Sequence, residues 1–308
     1  MDGILPLYKE RGMTSNDCVF KCRRILKSKR VGHSGTLDPN VDGVLPICVG
    51  KATKVVNYLM DSGKIYIGEI TLGFATTTED LEGDIVEKRK LARMFTAEEI
   101  NKAMLALTGK LIQIPPMYSA IKVKGRRLYD YARAGETVER PQRKIVVDYF
   151  KQVNTSTFDM EKGQQKIYFE IGCGKGTYVR TIAVDLGKKL GVPAVMSDLT
   201  RLASGGFTIG QAIKLDDLKK AAADGNLEEK LFPADHALKK FPHHVLTETQ
   251  WRIVQNGGFL LPKYLRGDER RPVIVLMYKN KARALYRFNQ EKERYQPEQM
   301  IDLTEGEN

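Results

Sequence analysis

No run of apolar residues in this 308-residue chain approaches the ~18 that a helical membrane crossing requires, so no helical span is expected. The opening Met-Asp-Gly-Ile-Leu-Pro has neither the charged start nor the apolar stretch of a secretory signal. Cysteine is scarce: Cys18, Cys22, Cys48 and Cys173 show no paired spacing and fall far short of a disulfide scaffold. They are expected to be reduced thiols in a cytoplasmic protein. Histidine is equally sparse. His33, His236, His243 and His244 are the only four, and the adjacent pair cannot turn toward one ion together, so no metal site is expected. No Gly-x-Ser-x-Gly elbow occurs.

Two partial motifs fail on inspection. Asp38-Pro-Asn40-Val-Asp42-Gly43 begins like a calcium loop, but Val49 stands where the bidentate glutamate must be, and Pro39 is awkward inside such a loop. Gly172-Cys-Gly-Lys-Gly-Thr177 resembles a phosphate cradle between strand and helix, yet Lys175 is followed by glycine, which excludes a Walker loop and with it a nucleotide cofactor. A plain turn and a polynucleotide phosphate at the helix N-terminus both fit those residues. With metal, redox and nucleophile-elbow chemistry unsupported, any catalysis falls to a carboxylate. Asp38 is the candidate, in a loop punctuated by Gly32, Gly35, Pro39 and Gly43. An Asx turn, with Asp38 bonding its own backbone ahead of Pro39, accounts for the same residues, and the residues alone leave both readings open.

Basic residues, by contrast, are abundant. The net charge is +12, which favours a polyanionic partner through counterion release. The excess is clustered: residues 20–30 hold six Lys/Arg and no acid, residues 115–144 eight against three, and residues 239–289 eleven against three. Tyr118, Tyr129 and Tyr131 lie within the middle cluster. Cations interleaved with stacking faces suit RNA with unpaired bases.

Hydrophobic residues make up 42% of the chain, enough for a packed core. Cys18, Val19, Cys22, Ile25 and Leu26 mark one face of a helix over 15–27, capped by Ser15 or Asn16. The motif over 32–46 reads as a loop, Lys51–Asp61 as a helix, and Lys64–Phe74 as a strand. Ala75–Asp84 reads as a connecting loop, and Thr96 opens a helix that ends near Gly109. Strands are expected at Ile145–Val153 and Lys166–Cys173, then a helix over Thr177–Leu190 stopped by Gly191. Two short extended pieces over 194–213 and a helix from Asp216 follow. Val273–Tyr278 and Ala282–Phe288 flank a turn and read as a hairpin. Prolines and a change of composition within Leu231–Pro242 mark a domain boundary.

Gly32-His33-Ser34-Gly35-Thr36-Leu37-Asp38-Pro39, with Gly43-Val44-Leu45-Pro46, resembles the signature of the TruB family, tRNA pseudouridine synthases acting on the uridine at tRNA position 55. The likeness continues at Lys64-Ile65-Tyr66, at Ile114-Pro115-Pro116-Met117-Tyr118-Ser119-Ala120 and at Lys175-Gly176-Thr177-Tyr178-Val179-Arg180-Thr181, covering residues 3–215 in order. It departs at Ser34, where threonine is usual, and at Asn40-Val41-Asp42, which replaces a Leu-Ala-Thr-like run. The resemblance implies an α+β pseudouridine synthase fold: a mixed, largely antiparallel central sheet flanked by helices, plus a small β-rich PUA-like domain. The domains are then 1–235, with an RNA-gripping insertion over 115–144, and 240–305.

It further implies that Asp38 is the catalytic carboxylate. Arg180 would lie beside it and keep it ionised. Tyr66 would stack on the displaced uracil, and His33 would fill the space the base vacates. Tyr178 and Leu199 would line the pocket, while Lys122, Lys124, Arg126 and Arg127 would grip the tRNA T-arm. Neither metal nor cofactor is implied, and a monomer is the default. Two rivals remain: a tRNA-binding and folding protein without catalysis, and a ribosomal RNA enzyme of a guide-RNA particle. The missing lysine-rich flanks argue against the second.

Overall fold

The computed structural model describes residues 1–265 and 270–302. Arg266, Asp268 and Glu269 of the basic C-terminal stretch, and residues 303–308, lie outside the described residues. The chain divides into two compact units. One comprises Met1–Asn40, Val44–Met60 and the chain from Gly205 onward; the other comprises Val41–Gly43 and Asp61–Ser204.

The second unit is built on a sheet in which Gly109–Gln113, Arg143–Gln152, Gln164–Cys173, Lys64–Leu72 and Ala194–Ser204 lie side by side, each antiparallel to its neighbour. Asp42 and Gly43 then pair parallel with Thr200 and Arg201, so the sheet is mixed and largely antiparallel, as expected. Alternation of apolar residues along these strands drives the arrangement. Ile70, Leu72, Val147, Ile167, Phe169, Ile171 and Val195 are all fully or nearly fully buried, each stabilising by about 2 kcal/mol. Helices Val179–Leu190 and Ala97–Leu105 cover the sheet. Gly187 lets the first approach closely, because a Cβ there would stand 2.5 Å from that of Ala194.

The first unit holds strand Gly3–Lys9, helix Ser15–Ile25 and a four-stranded sheet of His243–Val245, Val273–Tyr278, Lys281–Asn289 and Arg294–Met300. The expected hairpin is there, turned by Lys279 and Asn280 with φ of +50° and +57°, a twist that suits two antiparallel strands. One face of this sheet shares an apolar cluster with Ile4, Val44, Cys48, Leu59, Phe207 and Leu238. Its other face, with Ile274, Leu276 and Tyr286, packs on Trp251, Val254 and Leu260. Among the described residues no helix is long and apolar enough to cross a membrane.

Several expectations needed correction. Thr14, not Ser15 or Asn16, caps the first helix, in a reciprocal box with Asp17. Lys51–Asp61 is a 3-10 turn, Gly50–Val55, followed by a short α-helix, Val56–Met60; the Thr53 hydroxyl bonds back to Gly50 O at 2.7 Å and competes with regular helix. Within the expected loop over 75–84 lies part of a small ladder, Phe74–Thr76 against Ile85–Lys88. The two extended pieces over 194–213 are present, but the first, Ala194–Ser204, is an eleven-residue strand and only the second, Phe207–Thr208, is short. Bulges in the first at Met196/Asp198 and Arg201/Ala203 reset the alternation, so its sequence reads as fragments. The motif over 32–46 is only partly a loop, since Asp42–Val49 is a strand buried from Gly43 onward. Its glycine and proline read as punctuation although the run between them is apolar throughout.

Gly43 is required where it stands. Its φ is +113°, and a Cβ would overlap the carbonyl oxygen of Arg201 on the paired strand. Gly43→Ala is therefore expected to cost about 3 kcal/mol or more, read as a lower denaturant midpoint; an unchanged midpoint would refute the close approach. Lys64 supplies a pH-dependent counterpart. It is 8% exposed, and burial, then Arg201, lowers its pKa from 10.5 to about 8. Between those values the unfolded chain binds the proton that the folded protein has released, so this group's contribution to stability rises with pH across that window. Lys64→Met should remove that rise, changing the stability gap from the native protein by up to about 3 kcal/mol across it. Parallel pH–stability curves for the two proteins would disprove it.

Candidate active site

Asp38 is half-buried in the loop between strands Val31–His33 and Asp42–Val49. The backbone on both sides of it is clamped. Ser15, 2% exposed at the start of its helix, accepts from Leu37 N at 2.9 Å and donates to Leu37 O at 3.2 Å. On the other side Pro39 O accepts from Gly12 N at 3.0 Å and from Lys9 Nζ at 3.0 Å. Lys9 is fully buried and also donates to Glu10 O at 3.1 Å. Each bond adds about 1 kcal/mol, and together they hold the carboxylate's backbone in one conformation. His33, in the same unit, pairs with Ile47. Ser15 and Lys9 were not legible as partners of the loop: each looks like an ordinary cap or surface cation until the fold brings it there.

In the second unit, Tyr66, Gly68, Leu199 and Arg201 share one face of the sheet. Tyr66 pairs with Ile171 and Arg201, and Gly68 pairs with Phe169 and Leu199. A side chain at Gly68 would press on Leu199 Cδ1 and Phe169 Cζ, both 3.0 Å from its Cβ. The Asp198 carbonyl oxygen would be nearer still, so glycine here admits the close approach of the paired strand. Tyr66 is 7% exposed and Leu199 6%, so their faces are dry.

Tyr178 stands at the N-cap of helix Val179–Leu190 without a capping side chain of its own. Gln113 does the work from a neighbouring strand: its Oε1 accepts from Tyr178 N at 2.8 Å, and its Nε2 donates to Tyr178 O at 3.1 Å. Two residues on, Arg180 is buried, and its guanidinium donates to Thr78 O at 2.8 Å and to Tyr118 O at 3.1 Å. Asp80 pairs with it at 3.5 Å. The turn that supplies these oxygens is itself bonded, Thr76 Oγ1 to Asp80 O and Thr78 Oγ1 to Asp80 Oδ1, both at 2.5 Å. Glu79 lies between, and burial raises its carboxyl pKa above the ordinary range. A polar run such as Thr76–Asp84 carries no periodicity, so neither Asp80 nor Glu79 could be singled out from sequence.

The insertion forms a small hairpin, Lys122–Val123 with Arg126–Arg127, followed by helix Leu128–Arg133. Lys124 and Gly125 turn it at φ of +50° and +82°. Lys122, Lys124 and Arg127 are exposed. Arg126 braces the segment from within: its Nη1 donates to both oxygens of Glu136, at 2.9 and 2.8 Å, its Nη2 donates to Asp130 O at 2.6 Å, and it lies 4.5 Å over the Tyr131 ring. Cysteine chemistry has no support, because burial raises the Cys22 and Cys48 thiols to about 12 and Cys173 to about 11.

Comparison with known proteins agrees with this architecture. Residues 23–179 match the family model described as TruB family pseudouridylate synthase, N-terminal domain. Residues 180–239 match the tRNA pseudouridylate synthase B C-terminal domain. The tRNA pseudouridine synthase B of Ligilactobacillus salivarius is 64% identical over 99% of this chain and 100% of its own length. That of Pediococcus pentosaceus is 58% identical over 98% and 99%. Among solved structures, a Cbf5-Nop10-Gar1 complex superposes with a TM-score of 0.72 at 26% identity, over 98% of this chain and 84% of the matched one. An H/ACA RNP bound to a substrate RNA containing 2'-deoxyuridine gives the same TM-score at 24% identity, covering 97% and 85%, a likeness of fold. With two consecutive family models and full-length relatives well above half identity, the chain belongs to the TruB family of pseudouridylate synthases.

Proposed function

We propose that this tRNA pseudouridine synthase converts the uridine at position 55, in the T-arm of tRNA, to pseudouridine, with Asp38 as the catalytic carboxylate. The observation that carries the reading is the loop clamped at Leu37 and Pro39. A half-buried acid on so fixed a backbone suits work on a reacting atom better than an Asx turn at a free surface. In the reaction the N1–C1′ bond breaks, the base turns, and C5 joins C1′. The hydrogen on C5 leaves to solvent, and N1 ends protonated. Nothing is oxidised or reduced, and no cofactor or metal is called for. The uridine must first leave its stack, at a cost of a few kcal/mol.

Asp38 acts in its ionised form, as nucleophile or base. Arg180 keeps it ionised, and the cradle of Thr78, Tyr118 and Asp80 supports that role by holding the guanidinium. Tyr66 stacks on the displaced uracil, Leu199 and Tyr178 line its pocket, and His33 fills the vacated place. The exposed Lys122, Lys124 and Arg127 contact T-arm phosphates, with Arg126 holding the hairpin that presents them. Residues 240–305 form a PUA-like RNA-binding part beside the catalytic 1–235, and the enzyme works as a monomer in the cytoplasm. The guide-particle alternative draws only on a fold likeness at 26% identity. The tRNA-folding alternative is separated by experiment.

Transfer RNA tritiated at C5 of its uridines should release label with the native protein. Asp38→Asn should slow release by about 10²–10⁴-fold or more while RNA binding is kept. Native-rate release by the variant would sink the mechanism. Filter binding between about 50 and 200 mM salt tests the grip. Lys122, Lys124 and Arg127 changed together to alanine should flatten the log–log slope by about 2 to 3. An unchanged slope would remove the insertion from the interface.

A further inference from the structure

The turn that holds Arg180 is tied to the arginine's own helix by a second, separate bond. Glu79 sits between the two residues that address the guanidinium, Thr78 through its carbonyl and Asp80 through its carboxylate. Its side chain points elsewhere: Glu79 Oε2 accepts from Thr181 Oγ1 at 2.6 Å, and Thr181 is the residue next to Arg180. Thr181 is 5% exposed, so water competes little for this bond. The Glu79 backbone is also engaged, its carbonyl accepting from Met196 N at 3.1 Å on the Ala194–Ser204 strand.

The backbone conformation adds an independent argument. Glu79 has φ of +66°, a left-handed geometry that glycine or asparagine adopts with less strain. That geometry places residues 78 and 80 on the arginine while residue 79 turns to the helix. A glutamate standing in a position that disfavours its backbone points to use of its carboxylate. Nearby Gly83 packs so tightly that a Cβ would stand 2.5 Å from Thr77 Oγ1 and 2.6 Å from Thr78 Oγ1. The turn therefore has little slack with which to absorb a loss.

We infer that Glu79 is a positioning residue for Arg180: by bonding Thr181 it locks the Thr76–Asp80 turn to the start of the helix, so that the guanidinium is held at two adjoining points. This rests on the proposed role of Arg180 in the chemical step. An arginine has many rotamers, and three contacts fix it only if their own frame is fixed relative to the helix. Releasing the lock moves the guanidinium by fractions of an ångström, enough to matter for a reaction step and too little to matter for RNA affinity.

Single-turnover rates and tRNA dissociation constants, measured on the full-length protein, test the inference. Glu79→Ala and Thr181→Val should each slow the single-turnover rate about 10-fold with affinity changed less than about twofold. The double variant should be no slower than the worse single one, because both remove one bond. Glu79→Gln, whose amide oxygen can accept the same hydrogen, should recover most of the rate. Thr181→Val is isosteric and carries the test if Glu79→Ala fails to fold. A native rate in Thr181→Val, losses that multiply in the double variant, or a parallel loss of affinity would overturn the inference. Arg180→Met, measured alongside, separates the two levels. If it is slow while the Glu79 and Thr181 variants are native, only this inference fails; a native rate in Arg180→Met would overturn the role of Arg180 and this inference with it.

Discussion

A side chain that both donates to and accepts from one backbone residue removes two of that residue's freedoms at once, and the protein uses this device repeatedly. Ser15 holds Leu37 in this way, beside Asp38. Gln113 holds Tyr178, two residues before Arg180. Gln165, fully buried, holds Phe95 with bonds of 2.7 and 2.9 Å, just before the helix that Thr96 caps. Leu37 and Phe95 lie outside strands and helices, where backbone N–H and C=O groups need partners from elsewhere, and Tyr178 is a helix N-cap whose N–H has no place in the helix ladder. Satisfying both groups from one buried side chain lets a loop be as rigid as the sheet beside it. Candidate site residues at the ends of loops thereby gain positions fixed by strands and helices.

Sequence and structure agree where a pattern repeats and part where a single long-range bond decides. Helix Ser15–Ile25 and the strands Lys64–Leu72, Arg143–Gln152 and Gln164–Cys173 follow apolar periodicity, and each was legible from it. Asp38 could be singled out from its loop, with an Asx turn as an equal reading, whereas Tyr66, Tyr178 and Arg180 were legible only as motif residues, through the family resemblance. The clamps were not, because Ser15 and Leu37 are 22 residues apart and Gln113 and Tyr178 are 65 apart. Local rules misled at two places for opposite reasons. Gly43 and Pro46 look like loop residues but belong to a buried strand, the glycine serving its contact with Arg201. Arg126 looks like one more cation of a basic cluster but is engaged with Glu136, ten residues on.

Charge counting is sharpened by the same comparison. The net charge of +12 suggests a broad surface for a polyanion, yet Lys9, Lys64, Arg180, Arg201 and Arg283 are each at most 8% exposed. Burying a cation is costly unless its donors are met. Lys9, Lys64, Arg180 and Arg283 all donate to backbone carbonyls. Neutral oxygens meet donors without removing the positive charge, although Arg180 also has the Asp80 carboxylate at 3.5 Å, and the pKa of Lys64, lowered to about 8, records the cost of burial. These buried cations are turned to the protein's own groups, so the positive charge left at the surface is smaller than the total. On the reading proposed above, the exposed residues of the 122–127 hairpin are part of that remaining surface charge.

The proposed reaction asks for an unusual division of labour. The base must be freed, turned and rejoined to the same sugar without escaping, so the mobile body is the substrate and the protein must supply a fixed frame. With no cofactor to hold the base, that demand falls on the protein's own side chains. Rigidity at Asp38 and at Arg180 is then a chemical requirement as much as a structural one. This explains why so much hydrogen bonding is spent on backbone next to those residues. It also explains why the residues that confer the rigidity, Ser15, Gln113 and Glu79, need never touch the RNA. Changes at such positions should act on rate while leaving affinity alone, the reverse of changes in the basic insertion, and that contrast divides the frame from the grip.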